Sequence, residues 1–366
     1  MNLPPHITAL PPYTPIEPFE ILSQRIGRAP QDIIKLDANE NPYGMSARAR
    51  AALANLPYAH IYPDPESRAL RAALSQFTGV PSENLLAGAG ADELIDLIMR
   101  VTLNPGDVVL NCPPTFGMYA FDADLNNARH LDIPRRPDFS PALEEILRVA
   151  HQFSPKLIFL ASPNNPDGSL LPESVLQKLL ELPCLVVLDE AYIEFAGVPS
   201  HITQVPQREN LIVLRTFSKL AGLAGLRVGY GAFPNWLMPT LWKAKQPYNV
   251  NVAASTAALA ALEDADYLQW TVQTLVAERE RLRTELARFP WLHAYPSSAN
   301  FILCCVAPPI NAEHLKTELA QKHGIFIRYF NKPGLTDCIR ISVGKPEHTD
   351  ALLSALSSYP LHHLPG

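Results

Sequence analysis

Four near-continuous apolar runs dominate the middle of the chain: VVLNC at 108–112, KLIFLASP at 156–163, CLVVLDE at 184–190 and NLIVLRTFS at 210–218. Apolar runs without alternation predict strands covered on both faces, and RVGYGAF at 227–233 adds one more. Helical spacing fills the intervals. It begins at Ser46, returns in SRALRAALSQF at 67–77, and returns again in GAGADELIDLIMRVTL. There a glycine-containing turn opens a helix whose first turn carries Asp92 and Glu93, where the helix dipole favours acids. Strands alternating with helices predict an α/β unit around a mostly parallel sheet. Residues 270–288 follow as one long charged helix, plausible as a bridge. Beyond it FILCCVA, a helix through HLKTELAQKH, GIFIRYF, DCIRISVG and a last helix over 347–359 predict a small α+β unit.

A chain of 366 residues exceeds one hydrophobic core, so two domains are expected. The divisions fall at an N-terminal arm over 1–45 that joins the small unit, a large unit over 46–270, and a C-terminal unit over 271–366 that includes the bridging helix. The 36 prolines are scattered and read as loop punctuation. A net charge of −6 without a Lys/Arg block argues against a nucleic-acid partner. The five cysteines, Cys112, Cys184, Cys304, Cys305 and Cys338, contain no CxxC pair, which predicts buried free thiols in a reducing compartment and no metal site. The N-terminal MNLPPHITALPPYTPIEPF lacks the basic and apolar regions of a signal peptide. No apolar run reaches the roughly eighteen residues of a membrane span. The expected location is the cytoplasm.

Candidate chemistry collects where the apolar runs end. Asn165, Asp189 and Lys219 each follow such a run, and ligands in open α/β sheets bind beyond the carboxyl ends of the strands. A lysine at a strand mouth beside small hydroxyl residues suits an internal Schiff base with an electron-sink cofactor, and its amine can later shuttle a proton. A plain surface lysine is the bland alternative. Asp189 can pair with a protonated pyridine nitrogen, or merely cap a turn. Tyr192 and Asn165 can each bond a phenolic oxygen. The GAGAD turn offers N–H groups at a helix start, Thr216 and Ser218 offer hydroxyls, and Arg227 offers a fork of donors: together, a phosphate site. GAGAD does not fit the dinucleotide fingerprint. Phe116 in PPTFGMY can stack on a flat ring or be an ordinary core aromatic. Arg340 alternates with Ile339 and Ile341 in CIRIS, so an inward arginine suggests a carboxylate partner, and Arg328 in IFIRYF suits a second anion.

LDANENPYG, YPDP, GAGADELID, CPPTFGMY, SPNNPDG, LDEAY, TFSKLAGLAGLRVGYG, IRYF and IRISVG occur in one order along the chain. In these strings the chain resembles the fold-type I PLP (pyridoxal 5'-phosphate) aminotransferases, and within them the histidinol-phosphate aminotransferase family. The resemblance spans essentially the whole chain. It implies an α/β fold with a large cofactor-binding domain and a small α+β domain. It also implies that Lys219 is the Schiff-base lysine, Asp189 the partner of the pyridine nitrogen, Asn165 and Tyr192 the holders of the phenolic oxygen, and Phe116 the stacking residue. Ala91, Asp92, Thr216, Ser218 and Arg227 would form the phosphate cup. Tyr62 resembles the tyrosine that reaches the neighbouring cofactor across a homodimer interface. Tyr13, Asn39, Arg328 and Arg340 resemble substrate-side residues. The implied reaction moves the amine of L-histidinol phosphate to 2-oxoglutarate, giving imidazole acetol phosphate and glutamate, a step of histidine biosynthesis. Two departures stand out. PYTPIEPFE replaces a common Gly-Lys-Pro string near the N-terminus, and Asp167 stands where threonine is usual. The alternatives within the fold are an aromatic or broad-range aminotransferase and a threonine-phosphate decarboxylase. A ligand-sensing regulator would need a DNA-binding domain for which the chain has no basic helix.

Overall fold

The computed structural model describes residues 2–10 and 17–359. Their strands form two sheets. The larger has the order β2-β8-β7-β6-β5-β3-β4. Its members are β2 (Leu85–Gly88), β3 (Val108–Asn111), β4 (Arg129–Asp132), β5 (Leu157–Ala161), β6 (Leu185–Asp189), β7 (Leu211–Thr216) and β8 (Gly229–Ala232). The pairs from β4 through β3, β5 and β6 to β7 are parallel, and β8 runs antiparallel to both β7 and β2.

The apolar runs have a direct cause here. Ile158, Leu160, Val186, Leu188, Leu211 and Val213 enter one core, with Leu70, Leu74, Ala254 and Ala258 against them. Their neighbours Leu157, Phe159, Leu185, Val187, Ile212 and Leu214 enter a second core on the other face, with Leu94, Ile95 and Tyr119. A strand between two helical layers must be apolar at both parities. The two strands of this sheet that the pattern does not announce are short. β4 reads RHLD and lies at the sheet edge with partly exposed side chains, and β2 is LLAG, four residues ending in glycine.

The second sheet has the order β1-β11-β12-β10-β9, formed by β1 (Ile34–Leu36), β9 (Leu292–Ala294), β10 (Phe301–Val306), β11 (Ile325–Tyr329) and β12 (Cys338–Ser342). β1 comes from the N-terminal segment and pairs in parallel with β11. The long helix runs Ala265–Leu286, beginning before residue 270. From it, Arg279 donates to the carbonyls of Phe195 and Ala299, each at 3.0 Å, so one guanidinium ties the loop after β6 to the segment entering β10.

The cysteines correct one expectation. Cys305 of β10 and Cys338 of β12 lie opposite each other in the antiparallel register and are joined by a disulfide. Free thiols remain at Cys112, Cys184 and Cys304, all buried. The pairing depends on a register between strands 33 residues apart, which spacing alone does not encode. No helix among the described residues is long and apolar enough to cross a membrane.

The two sheets meet where the turn after β1 touches the loop after β7. Gly222 has φ +66°, and a Cβ there would fall inside the carbonyl of Gly44. Gly222→Ala is therefore expected to lower unfolding stability by about 2–4 kcal/mol, combining left-handed strain with backbone overlap. Gly225→Ala, at an exposed site with open space, should change it by less than about 1 kcal/mol. Denaturant unfolding of both variants checks this, and equal effects would contradict it.

Candidate active site

β5, β6 and β7 run parallel, so their carboxyl ends share one edge of the sheet. A cavity of about 310 Å³ opens there, lined by Asn165, Asp189, Ala191, Tyr192, Thr216, Ser218 and Lys219 from the strand ends. Ala91, Asp92, Phe116, Tyr119, Ala161, Pro163 and Arg227 complete the wall.

Lys219 points its amine across this cavity. Nζ donates to the carbonyl of Ala38 at 3.1 Å and lies 5.8 Å from the Tyr192 ring centre. Burial pushes the amine down to about 8, and the Arg340 charge adds to the push, while Glu40 and Asp92 oppose it. An amine in that range keeps a sizeable neutral, nucleophilic fraction near neutral pH.

Asp189 ends β6 with both oxygens held. Oδ2 accepts from the Tyr119 hydroxyl at 2.7 Å, and Oδ1 accepts from the Ala191 N–H at 3.0 Å. Burial pushes the carboxyl up to about 6, and these two hydrogen bonds oppose that rise. It therefore remains mostly ionised at neutral pH and offers a dry site for a cationic nitrogen.

Tyr192 accepts from Asn39 Nδ2 at 3.1 Å, so its own proton is left for the cavity. Its ring meets Phe301 edge-on at 5.0 Å. Asn165 accepts from Arg340 Nη1 at 2.5 Å through Oδ1, which leaves its amide nitrogen as a donor. Arg340 also donates to the Asp37 carbonyl at 2.7 Å and lies 5.2 Å from the Phe301 ring centre. Burial, aided by Arg328, pulls its guanidinium down to about 10. Arg328 stands directly opposite Arg340 in the β11–β12 register. Like charges facing each other across strands are unfavourable unless an anion joins them.

At the other end of the cavity the helix Ala91–Thr102 begins. Arg227 Nη2 meets Asp92 Oδ2 at 2.6 Å, and the Thr216 hydroxyl donates to Ser218 Oγ at 2.9 Å. The close fit needs glycine at two positions. A Cβ on Gly90 (φ +85°) would lie 2.6 Å from Arg227 Nη2, and one on Gly229 would lie 2.7 Å from the Ala91 nitrogen. Glu93 fixes the turn by accepting from the Ala89 N–H at 2.5 Å and from Asn249 Nδ2 at 2.7 Å. Helix N–H groups, two hydroxyls and a guanidinium make this a cradle for a phosphate-sized anion. Among the described residues no group of three or more His, Cys, Asp or Glu side chains is arranged to hold a metal ion.

The family described as aminotransferase class I and II matches residues 31–356. The chloroplastic histidinol-phosphate aminotransferase of Nicotiana tabacum is 56% identical over 355 residues, covering 97% of this chain and 86% of that protein. The histidinol-phosphate aminotransferase of Roseiflexus castenholzii is 55% identical over 361 residues, covering 97% of each. The chain belongs to the histidinol-phosphate aminotransferase family. Among solved structures of that family, the Sinorhizobium meliloti enzyme in complex with pyridoxal-5'-phosphate is similar with a TM-score of 0.87. The identity there is 30%, over 97% of this chain and 96% of that one.

Ten residues singled out by sequence thus line one aminotransferase cavity: Ala91, Asp92, Phe116, Asn165, Asp189, Tyr192, Thr216, Ser218, Lys219 and Arg227. Others stand apart from it. Asn39 is buried behind Tyr192, with φ +56°, where it accepts from the Ser342 hydroxyl at 2.9 Å. Tyr62 is 78% exposed and stacks on Tyr248 at 4.6 Å, away from the cavity of its own chain. Tyr13 lies outside the described residues. Asp167 is spent on its own turn, accepting from the Ser169 N–H at 2.9 Å and from Asn164. Several participants had no assignment from sequence, the Ala38 carbonyl and Tyr119 among them. The Ala38 carbonyl holds the lysine but carries no side-chain signal. Tyr119 reads from sequence as a core aromatic, and nothing in its spacing announces the carboxylate it meets.

Because the pKa of Lys219 is lowered, its neutral fraction should rise about tenfold per pH unit and level off near 8, well below an ordinary lysine. Labelling of the ligand-free protein with salicylaldehyde and cyanoborohydride, quantified peptide by peptide, should plateau at Lys219 while surface lysines keep gaining past pH 10 (about their ordinary pKa). A Lys219 profile superposed on the surface lysines would contradict the assignment.

Proposed function

We propose that this chain is a pyridoxal-phosphate-dependent aminotransferase that takes the amine of L-histidinol phosphate and passes it to 2-oxoglutarate, in histidine biosynthesis. The observation that carries the reading is the single cavity holding the Lys219 amine, the doubly bonded Asp189 carboxylate and the anion cradle at Arg227. The donor set fits the cofactor. It provides a carboxylate for the ring nitrogen, two donors for the phenolic oxygen, an aromatic face and a cradle for the phosphate. When bound, pyridoxal phosphate supplies the aldehyde that takes up the amine and a ring that accepts the electron pair released at the substrate carbon.

Each residue has a task that follows from its surroundings. Arg227, Thr216, Ser218 and the N–H groups at Ala91 and Asp92 hold the phosphate end. Asp189 keeps a proton on the ring nitrogen by its charge. Tyr192 and the amide of Asn165 donate toward the phenolic oxygen, and Phe116 covers one face of the ring. Lys219 holds the cofactor through its amine in the resting enzyme. When free, that amine would be placed to take up and return a proton at the substrate carbon. Arg340 and Arg328 form the anion-recognising wall, for the carboxylate of the keto acid and the phosphate of the amino donor. We extend the reading to a homodimer. The exposed Tyr58, Ile61 and Tyr62 form an aromatic and aliphatic surface suited to a second copy, with Tyr62 reaching the neighbouring cradle.

A half-reaction tests the assignment. L-Histidinol phosphate or L-phenylalanine is added to the cofactor-loaded enzyme without keto acid, and absorbance follows conversion of the cofactor from its aldehyde to its amine form. Half-conversion should need at least about tenfold less histidinol phosphate than phenylalanine. Arg328→Gln should raise the KM for histidinol phosphate by about tenfold to a hundredfold with a smaller change in kcat. Equal or better use of phenylalanine would instead make this an aromatic aminotransferase.

A further inference from the structure

The PPTFGMY string brings two aromatic rings to the cavity, and Tyr119 has so far no part in the chemistry. It lies in the first turn of the helix Met118–Leu125 and is fully buried. Its ring stacks on Phe159 of β5 at 5.0 Å and meets Phe116 edge-on at 5.6 Å. These contacts leave its hydroxyl a single hydrogen-bond partner among the described residues, Asp189 Oδ2 at 2.7 Å. A phenol aimed at one carboxylate oxygen in a dry site makes the strong, charge-assisted kind of hydrogen bond. Burial and the neighbouring Asp189 charge hold the phenol protonated far above the ordinary tyrosine range, so it acts as a donor at any working pH.

We propose that Tyr119 is the positioning residue for Asp189: its hydroxyl orients the carboxylate, keeps it ionised, and so sets how firmly the enzyme holds a proton on the ring nitrogen of bound pyridoxal phosphate. This rests on the reading that Asp189 meets that nitrogen. The geometry is two-sided. The Ala191 N–H takes one oxygen and Tyr119 the other, so the plane of the carboxylate cannot turn. The charged and titratable groups facing Asp189 are Asp92 from the helix Ala91–Thr102, Lys219 from the loop after β7, Tyr192 and Tyr119 itself. Burial and Asp92 favour the neutral acid, while Tyr119, Ala191 and Lys219 favour the carboxylate. Removing the hydroxyl leaves the first two less opposed. The ring nitrogen then holds its proton less firmly. With less positive charge on the ring, the Lys219 nitrogen would keep its own proton to higher pH.

The test uses the cofactor-loaded enzyme with Tyr119→Phe, with 3-fluorotyrosine at position 119, and with Asp189→Asn. Three quantities are read: the pH midpoint of the bound cofactor's absorbance, the dissociation constant of pyridoxal phosphate from the apoprotein, and the melting temperature of the apoprotein. Tyr119→Phe should raise the midpoint by about half a unit or more and weaken cofactor binding about tenfold. It should leave the KM for the amino donor within about twofold and lower the apoprotein melt by only the few degrees that one lost buried hydrogen bond accounts for, because the ring stacking is kept. Fluorotyrosine, nearly the same shape but a stronger donor, should move the midpoint down. Asp189→Asn should raise it further than Tyr119→Phe. Wild-type midpoint and affinity in Tyr119→Phe, alongside a clear shift in Asp189→Asn, would make Tyr119 a packing residue and overturn the inference. No shift in either would overturn the role of Asp189 and the inference with it. If Tyr119→Phe does not fold, the fluorotyrosine enzyme decides, and an unchanged or raised midpoint overturns the proposal.

Discussion

The constraint on which the rest depends is a half-buried lysine whose amine is partly desolvated inside a cavity. Desolvation disfavours the charged form of a lysine, and a nearby guanidinium disfavours it further. Lys219 meets both, and its one hydrogen-bond partner among the described residues is a backbone carbonyl, that of Ala38. An amine in such a place is unfavourable as a structural element and useful as a nucleophile. Its surroundings then follow. The carboxyl ends of β6 and β7 place Asp189 and Lys219 on one rim, and apolar layers pack both faces of the sheet behind it.

The segment after β1 closes the site from the other sheet. Within a few residues the Asp37 carbonyl accepts from Arg340, the Ala38 carbonyl accepts from Lys219, and Asn39 bonds Tyr192, Ser342 and Asn300. Asn41 donates to the Leu220 carbonyl at 2.9 Å, beside the contact of Gly44 with Gly222. One short stretch thus couples Arg340, Lys219 and Tyr192. Asn39 takes a left-handed conformation to do so, a strain the surrounding hydrogen bonds offset. The position of the smaller sheet therefore bears on the side chains that line the cavity.

Legibility in the sequence followed local physics. The central strands could be read because burial on both faces demands unbroken apolarity, as in LVVLD and LIVLRT. The cavity residues could be read because they follow those strands, where an open α/β sheet binds ligands. β4 could not, because an edge strand such as RHLD needs no apolar run. Long-range register was invisible. It creates the Cys305–Cys338 disulfide, and it sets Arg328 against Arg340. Tyr119 illustrates the same limit: its ring reads as core, and only the fold shows that its hydroxyl ends on Asp189.

The most direct test of the central claim is the identity of the lysine that carries the cofactor. The purified, cofactor-loaded enzyme is reduced with borohydride, digested and mapped by mass spectrometry. The account predicts a single phosphopyridoxyl adduct on the peptide containing TFSKLAGLAGLR, at Lys219, in near one-to-one ratio with the chain. An adduct on another lysine, or none on an enzyme that still turns over, would contradict it.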